Sequence, residues 1–96
     1  MRTIVLDGGE MLTRAAAHDY LARRLQLPDY YGRNLDALAD CLSEMGQTTL
    51  LVLYRQDEMA QVLGDYGESL VRVLRQAAEE NPRLSLALDG EANIQN

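Results

Sequence analysis

Three carboxylates four residues apart, Asp36, Asp40 and Glu44, follow a pair of tyrosines, Tyr30 and Tyr31, and a glycine, Gly32. Positions four apart on a helix share a face, so these acids repel one another by roughly 0.2–0.5 kcal/mol per pair while Leu35, Leu38 and Leu42 turn the other way. Asp36 stands in the first turn, where the helix dipole favours it; Asp40 and Glu44 gain little from that source. Three chemistries fit such a row. It can be a solvated helix face, an acid and base pair, or an oxygen ligand set for magnesium or calcium. An acid and base pair needs surroundings that push the two pKa values apart, which neighbouring positions on one helix face do not provide. Hard-cation sites draw their ligands from loops or several elements, which one helix does not supply. A tyrosine exposed beside an acidic row is a frequent make-up of protein interfaces, and the tyrosine pair is expected to divide into one buried and one exposed ring.

Other reactive residues are sparse. His18 is the single histidine, in Ala15-Ala16-Ala17-His18-Asp19-Tyr20, with no serine or cysteine close enough in sequence to suggest a nucleophile pair, and is read as a surface residue. Gly8-Gly9 lacks the pattern of a phosphate-binding loop and reads as turn chemistry. The one cysteine, Cys41, cannot close an intramolecular disulfide and excludes paired Cys-x-x-Cys metal sites, which favours a reducing cytoplasm.

The elements that must position these residues follow from periodicity. Ile4-Val5-Leu6 reads as a first strand ending at Asp7-Gly8-Gly9. Thr13 caps a helix to about Leu25, with Ala17, Tyr20, Leu21 and Leu25 on one face, and Pro28 stops it. Asn34 caps a second helix that runs to about Met45 and ends at Gly46. Leu50 to Tyr54 is apolar on both sides of the pleat, as a central parallel strand requires. Asp57 caps a short third helix to Leu63, a fourth spans about Glu68 to Glu80, and Leu84 to Leu88 forms the last strand. Strands separated by helices predict an α/β fold with a three-stranded parallel sheet and about four helices. Residues 1–90 are expected to form a single domain, with 91–96 a polar tail.

Composition narrows the partner. The chain has 96 residues, is 47% apolar, and carries a net charge of −6 from 15 acidic residues against 9 basic ones, every one of them arginine. That balance is poorly suited to a nucleic-acid backbone and well suited to a basic protein, whose approach opposite charge would steer. The longest apolar run, Leu50 to Tyr54, is far below the roughly 18–20 residues that span a bilayer, and nothing at the N-terminus reads as a signal peptide. A cytoplasmic protein with no membrane contact and no cofactor is expected.

Leu27-Pro28-Asp29-Tyr30-Tyr31-Gly32, then Asn34-Leu35-Asp36-Ala37-Leu38 and Asp40-Cys41-Leu42, closely resembles the barstar family of intracellular ribonuclease inhibitors. The resemblance continues through Arg55-Gln56, Gly67-Glu68-Ser69 and Arg75. It implies a barstar-like fold that plugs a nuclease active site with the second helix and the loop before it, and the partner it implies is a basic ribonuclease or a nuclease toxin domain. By position Asp40 resembles the aspartate that occupies the phosphate spot, Asp36 its acidic neighbour, and Tyr30 the tyrosine that packs on the catalytic histidine. Gly32, Asn34 and Leu35 fall on contacts of the same loop and helix start, and Ser43 and Glu44 extend the implied contact surface along the helix. The chain departs from the family pattern at Ala39 and Met45, where the family has tryptophans, at Gln76, an acidic contact in the family, and at Arg33, which replaces a glutamate. A binding module for a non-nuclease partner is the alternative those departures leave open.

Overall fold

The computed structural model describes residues 1–89. Its elements run β1 (Arg2–Asp7), a 3-10 turn (Gly8–Glu10), α1 (Arg14–Leu25), α2 (Leu35–Ser43), β2 (Thr49–Tyr54), α3 (Gln56–Leu63), α4 (Asp65–Glu80) and β3 (Leu84–Leu88). The three strands form one sheet in the order β1-β2-β3, parallel throughout, with Leu6 opposite Leu53 and Leu53 opposite Leu88. The expected tail, residues 91–96, lies outside the described residues.

Parallel strands need long crossovers, and each crossover here contains two helices. One face of the sheet carries Ile4, Leu6, Leu51, Leu53, Leu84 and Leu88, all buried, against Leu21, Leu38, Leu42, Met59, Leu70 and Leu74 from the helices. The opposite face is less covered than the apolar run of β2 suggested. Leu50 and Val52 are half-buried, and Thr3, Val5 and Ser85 are exposed. A continuous apolar run identifies a strand without saying how many layers cover it.

Helix boundaries shift by physical detail. Thr13 caps α1 as expected, its side chain accepting from the Ala16 N–H at 3.0 Å, but the helix ends at Gln26, in the left-handed region at φ 55, before Pro28 is reached. The second helix stops at Ser43, with Glu44 as its C-cap, so Met45 lies past the helix rather than in it. Arg55, at φ 57, takes the cap position of α3 expected for Asp57, which sits in the first turn. The fourth helix begins a turn early, at Asp65, because Gly67 lets its backbone close on α3: a Cβ there would lie 3.3 Å from Ala60 Cα.

At the C-terminal ends of the strands the chain ties itself together. The Arg55 guanidinium donates to both Asp7 carboxylate oxygens, at 2.9 and 2.7 Å, and its backbone N–H donates to Asp89 at 2.9 Å. The paired Arg55 holds the Asp7 carboxyl below the usual carboxylate range. Gly8 is required by close approach, since a Cβ would come within 2.3 Å of the Arg55 carbonyl oxygen.

Candidate protein-binding site

Helix α2 is held from below and at both ends. Leu38 and Leu42 are fully buried, which sends Asp36 and Asp40 outward, and Leu35 is half-buried against the core. The Asn34 side chain caps the start, accepting from the Ala37 N–H at 2.7 Å and donating to the Gly32 carbonyl at 3.2 Å. At the far end the buried Asn81 amide donates to the Leu42 and Met45 carbonyls, at 2.9 and 3.0 Å, filling acceptors that a helix C-terminus leaves open. From sequence Asn81, with Pro82, reads only as the end of the fourth helix.

The loop that precedes α2 hangs on a buried histidine. His18 is 2% exposed, not a surface residue: its Nδ1 meets the Tyr31 hydroxyl and its Nε2 the Tyr66 hydroxyl, each at 2.6 Å. Burial, reinforced by nearby Arg33, lowers the His18 pKa. Burial likewise pushes the Tyr31 hydroxyl well above the normal tyrosine value, so it stays protonated. Arg14 stacks its guanidinium over the Tyr66 ring at 4.3 Å. Arg33, at φ 56, pairs with Asp19 of α1, so the loop is tied to that helix twice. The sequence held a signal for this: His18 is three residues before Leu21 and seven before Leu25, on the buried stripe of α1.

With Tyr31 inside at 7% exposure, its neighbour Tyr30 stands out at 85%, dividing the pair as the sequence suggested. Tyr30, Gly32, Asp40, Cys41 and Glu44 line one cleft on the loop side of α2. Asp36, Asp40 and Glu44 are exposed, and none of their carboxylates has a hydrogen bond or ion pair among the described residues. The Cys41 thiol is pushed up by burial and by Glu44 and Asp40, which keeps it protonated and unreactive. Met45 borders an adjoining cleft with Tyr30 and Glu44. The other flank of α2 is different: Ala39 and Ser43 face Val73, Gln76, Ala77 and Glu80 of α4 across a groove, and Gln76 donates to Glu80 at 3.1 Å. Tyr30, Gly32, Asp40, Glu44 and Met45 therefore lie on one flank of α2 and Ala39, Ser43 and Gln76 on the other, while Leu35 and Met45 pack partly against the core.

The exposed Tyr30 and the exposed acids of α2 thus form an acidic relief on a helix whose two ends are capped by Asn34 and Asn81. No group of three or more His, Cys, Asp or Glu residues among those described is arranged to hold a metal ion. Among the described residues no helix is long and apolar enough to cross a membrane. The family model described as "Barstar (barnase inhibitor)" matches residues 1–90. The chain is also 40% identical over 81 residues to the Bacillus subtilis (strain 168) protein named "Putative ribonuclease inhibitor YrdF", covering 83% of this chain and 89% of that one. The chain belongs to the barstar family, whose members are inhibitor proteins and not enzymes.

Proposed function

We propose that this chain inhibits a basic ribonuclease by seating Tyr30 and the acidic face of α2 in the enzyme's active site, protecting the cell that makes both. The observation that carries this reading is the cleft in which the exposed Tyr30 and the unpaired carboxylates of Asp40 and Glu44 meet. A carboxylate fixed on a helix resembles an RNA phosphate in charge and in acceptor geometry, and an active site built of arginines would hold it through charge-assisted, bidentate bonds. Asp40 is the phosphate mimic in this reading, Asp36 adds a second acidic contact, and Tyr30 supplies ring area at the edge of the same cleft. Family membership and the name of the Bacillus subtilis relative support a ribonuclease as the target class.

The positive charge that Arg33 brings to the loop is engaged by Asp19, which limits its repulsion of a basic partner. A standard interface would cover roughly 800 Å² of this chain, with the binding energy concentrated at its centre.

The test is an inhibition titration against a panel of basic microbial ribonucleases. A stoichiometric end point with at least one of them, abolished by saturating mononucleotide phosphate, is the expected result. Asp40→Ala must then weaken inhibition far more than Glu44→Gln; equal inhibition by Asp40→Ala and the unaltered chain would remove Asp40 from the role given to it.

A further inference from the structure

The frame beneath the loop that presents Tyr30 is a chain of three groups whose protons can be counted. His18 Nδ1 meets the Tyr31 hydroxyl and its Nε2 the Tyr66 hydroxyl, and among the described residues neither hydroxyl has a further hydrogen bond. A neutral imidazole donates from one nitrogen and accepts at the other, so one tyrosine must give its proton and the other must receive one. Burial decides which. Tyr31 is 7% exposed, and a hydroxyl proton turned away from Nδ1 would be stranded without an acceptor. Tyr66 is only half-buried, so its hydroxyl can receive from Nε2–H and give its own proton to water. The lower-cost arrangement therefore puts the ring proton on Nε2 and makes Nδ1 the acceptor for Tyr31.

A second proton on the ring reverses the bond to Tyr31. Imidazolium donates from both nitrogens, so Tyr31 would have to accept while its own proton points unpaired into the interior. No unpaired carboxylate acts on the ring among the described residues to offset this. Arg33 of the loop acts on it with like charge, Asp19 of α1 is engaged by that same Arg33, and Arg14 of α1 lies over the Tyr66 ring. From α2 and α4 the titratable neighbours of Tyr31 are Cys41 and Tyr66, neither of them a carboxylate. Besides the packing of the Tyr31 ring, the loop then keeps one tie to α1, the exposed pair of Arg33 and Asp19, and exposed pairs hold weakly.

We propose that neutral His18 positions the binding loop by accepting the Tyr31 hydroxyl proton, and that protonation of His18 favours a local opening of Pro28 to Gly32 that unseats Tyr30. The consequence for a partner rests on the ribonuclease-inhibitor reading; the opening itself does not. A partner that takes Tyr30 into its own site selects the closed loop, so by linkage it disfavours the His18 proton as much as that proton disfavours the partner.

Amide exchange of the free, full chain between pH 7.5 and 5.5, read by NMR and corrected for intrinsic exchange rates, tests the opening. The Tyr31 N–H bonds to the Pro28 carbonyl at 2.9 Å and should exchange through a local opening, with protection below that of β2. Its protection should fall roughly 5- to 10-fold over the interval, the lower figure set by a buried unpaired donor and the upper by acidification about one pH unit below the ordinary histidine value. Tyr31→Phe should remove that dependence at position 31, and Tyr66→Phe should keep it. At pH 7.5 the ring nitrogens should show the proton on Nε2. A proton on Nδ1 overturns the proposal, as does Tyr31 protection that stays level, falls equally in Tyr31→Phe, or is lost only together with that of β2. A ribonuclease inhibited by this chain should, when bound, return the Tyr31 protection at pH 5.5 to at least its pH 7.5 level. If the free chain behaves as expected and the bound ribonuclease leaves that protection unchanged, the loop device stands and the seating of Tyr30 in the enzyme falls.

Discussion

Two regions of this molecule carry acidic side chains to opposite ends. At the strand termini Asp7 and Asp89 are consumed by Arg55, and the carboxylates there hold β1, α3 and β3 in register. On α2, Asp36, Asp40 and Glu44 hold nothing among the described residues. Charge spent internally fixes the fold; charge left unpaired on a rigid helix is available to a partner. The contrast teaches that carboxylates of one sequence are told apart by what lies beside them, since a bidentate arginine satisfies one group and a bare helix face leaves the other to solvent.

That contrast can be broken at either end. The largest effect is expected where backbone meets backbone: Gly8→Ala should lower unfolding free energy by about 1–3 kcal/mol or more through its clash with the Arg55 carbonyl, measured by urea denaturation. Asp40→Ala should leave the urea midpoint within error of the unaltered chain yet weaken ribonuclease binding by about 1.5–3 kcal/mol, roughly 10- to 150-fold, in calorimetric titration. A fall in stability of the size seen for Gly8→Ala would show that Asp40 serves the fold.

A third experiment addresses the frame between the two regions. His18 has its pKa lowered in the folded chain, so the unfolded chain binds the proton more readily and stability declines as pH falls through the ordinary histidine value near 6.5. Asp7 shifts in the same direction but acts below its ordinary value of 3.8, so a slope between pH 7.5 and 5.5 belongs to His18. His18→Gln should flatten that slope in urea titrations across the interval. The smallest effect is expected at Glu44, an acid at the C-cap of α2, where the dipole and Asp40 both oppose it. Glu44→Gln should stabilise the fold by about 0.3–1 kcal/mol. It should reduce binding less than Asp40→Ala does.

Much of the architecture was legible from period alone. The apolar runs at Ile4, Leu50 and Leu84, the caps at Thr13 and Asn34, and the leucine stripe of α2 located strands, helices and the outward side of the acidic row, because each depends on neighbours within a turn or two. His18 was misplaced, because its burial depends on Tyr31 and Tyr66, 13 and 48 residues away. The cap at Asn81 escaped notice for the same reason: its acceptors lie 36 and 39 residues back.

The sequence by itself determined the alternation of strand and helix, the acidity of α2, and the family to which the loop and helix belong. Tertiary structure alone decided which acids are satisfied, which flank of α2 each proposed contact residue occupies, and that side chains of α1 seal the outer edge of β1. Local pattern is written in bonds and stripes a few residues long, whereas pairing, burial and edge coverage arise only when distant segments compete for the same space and the same hydrogen bonds.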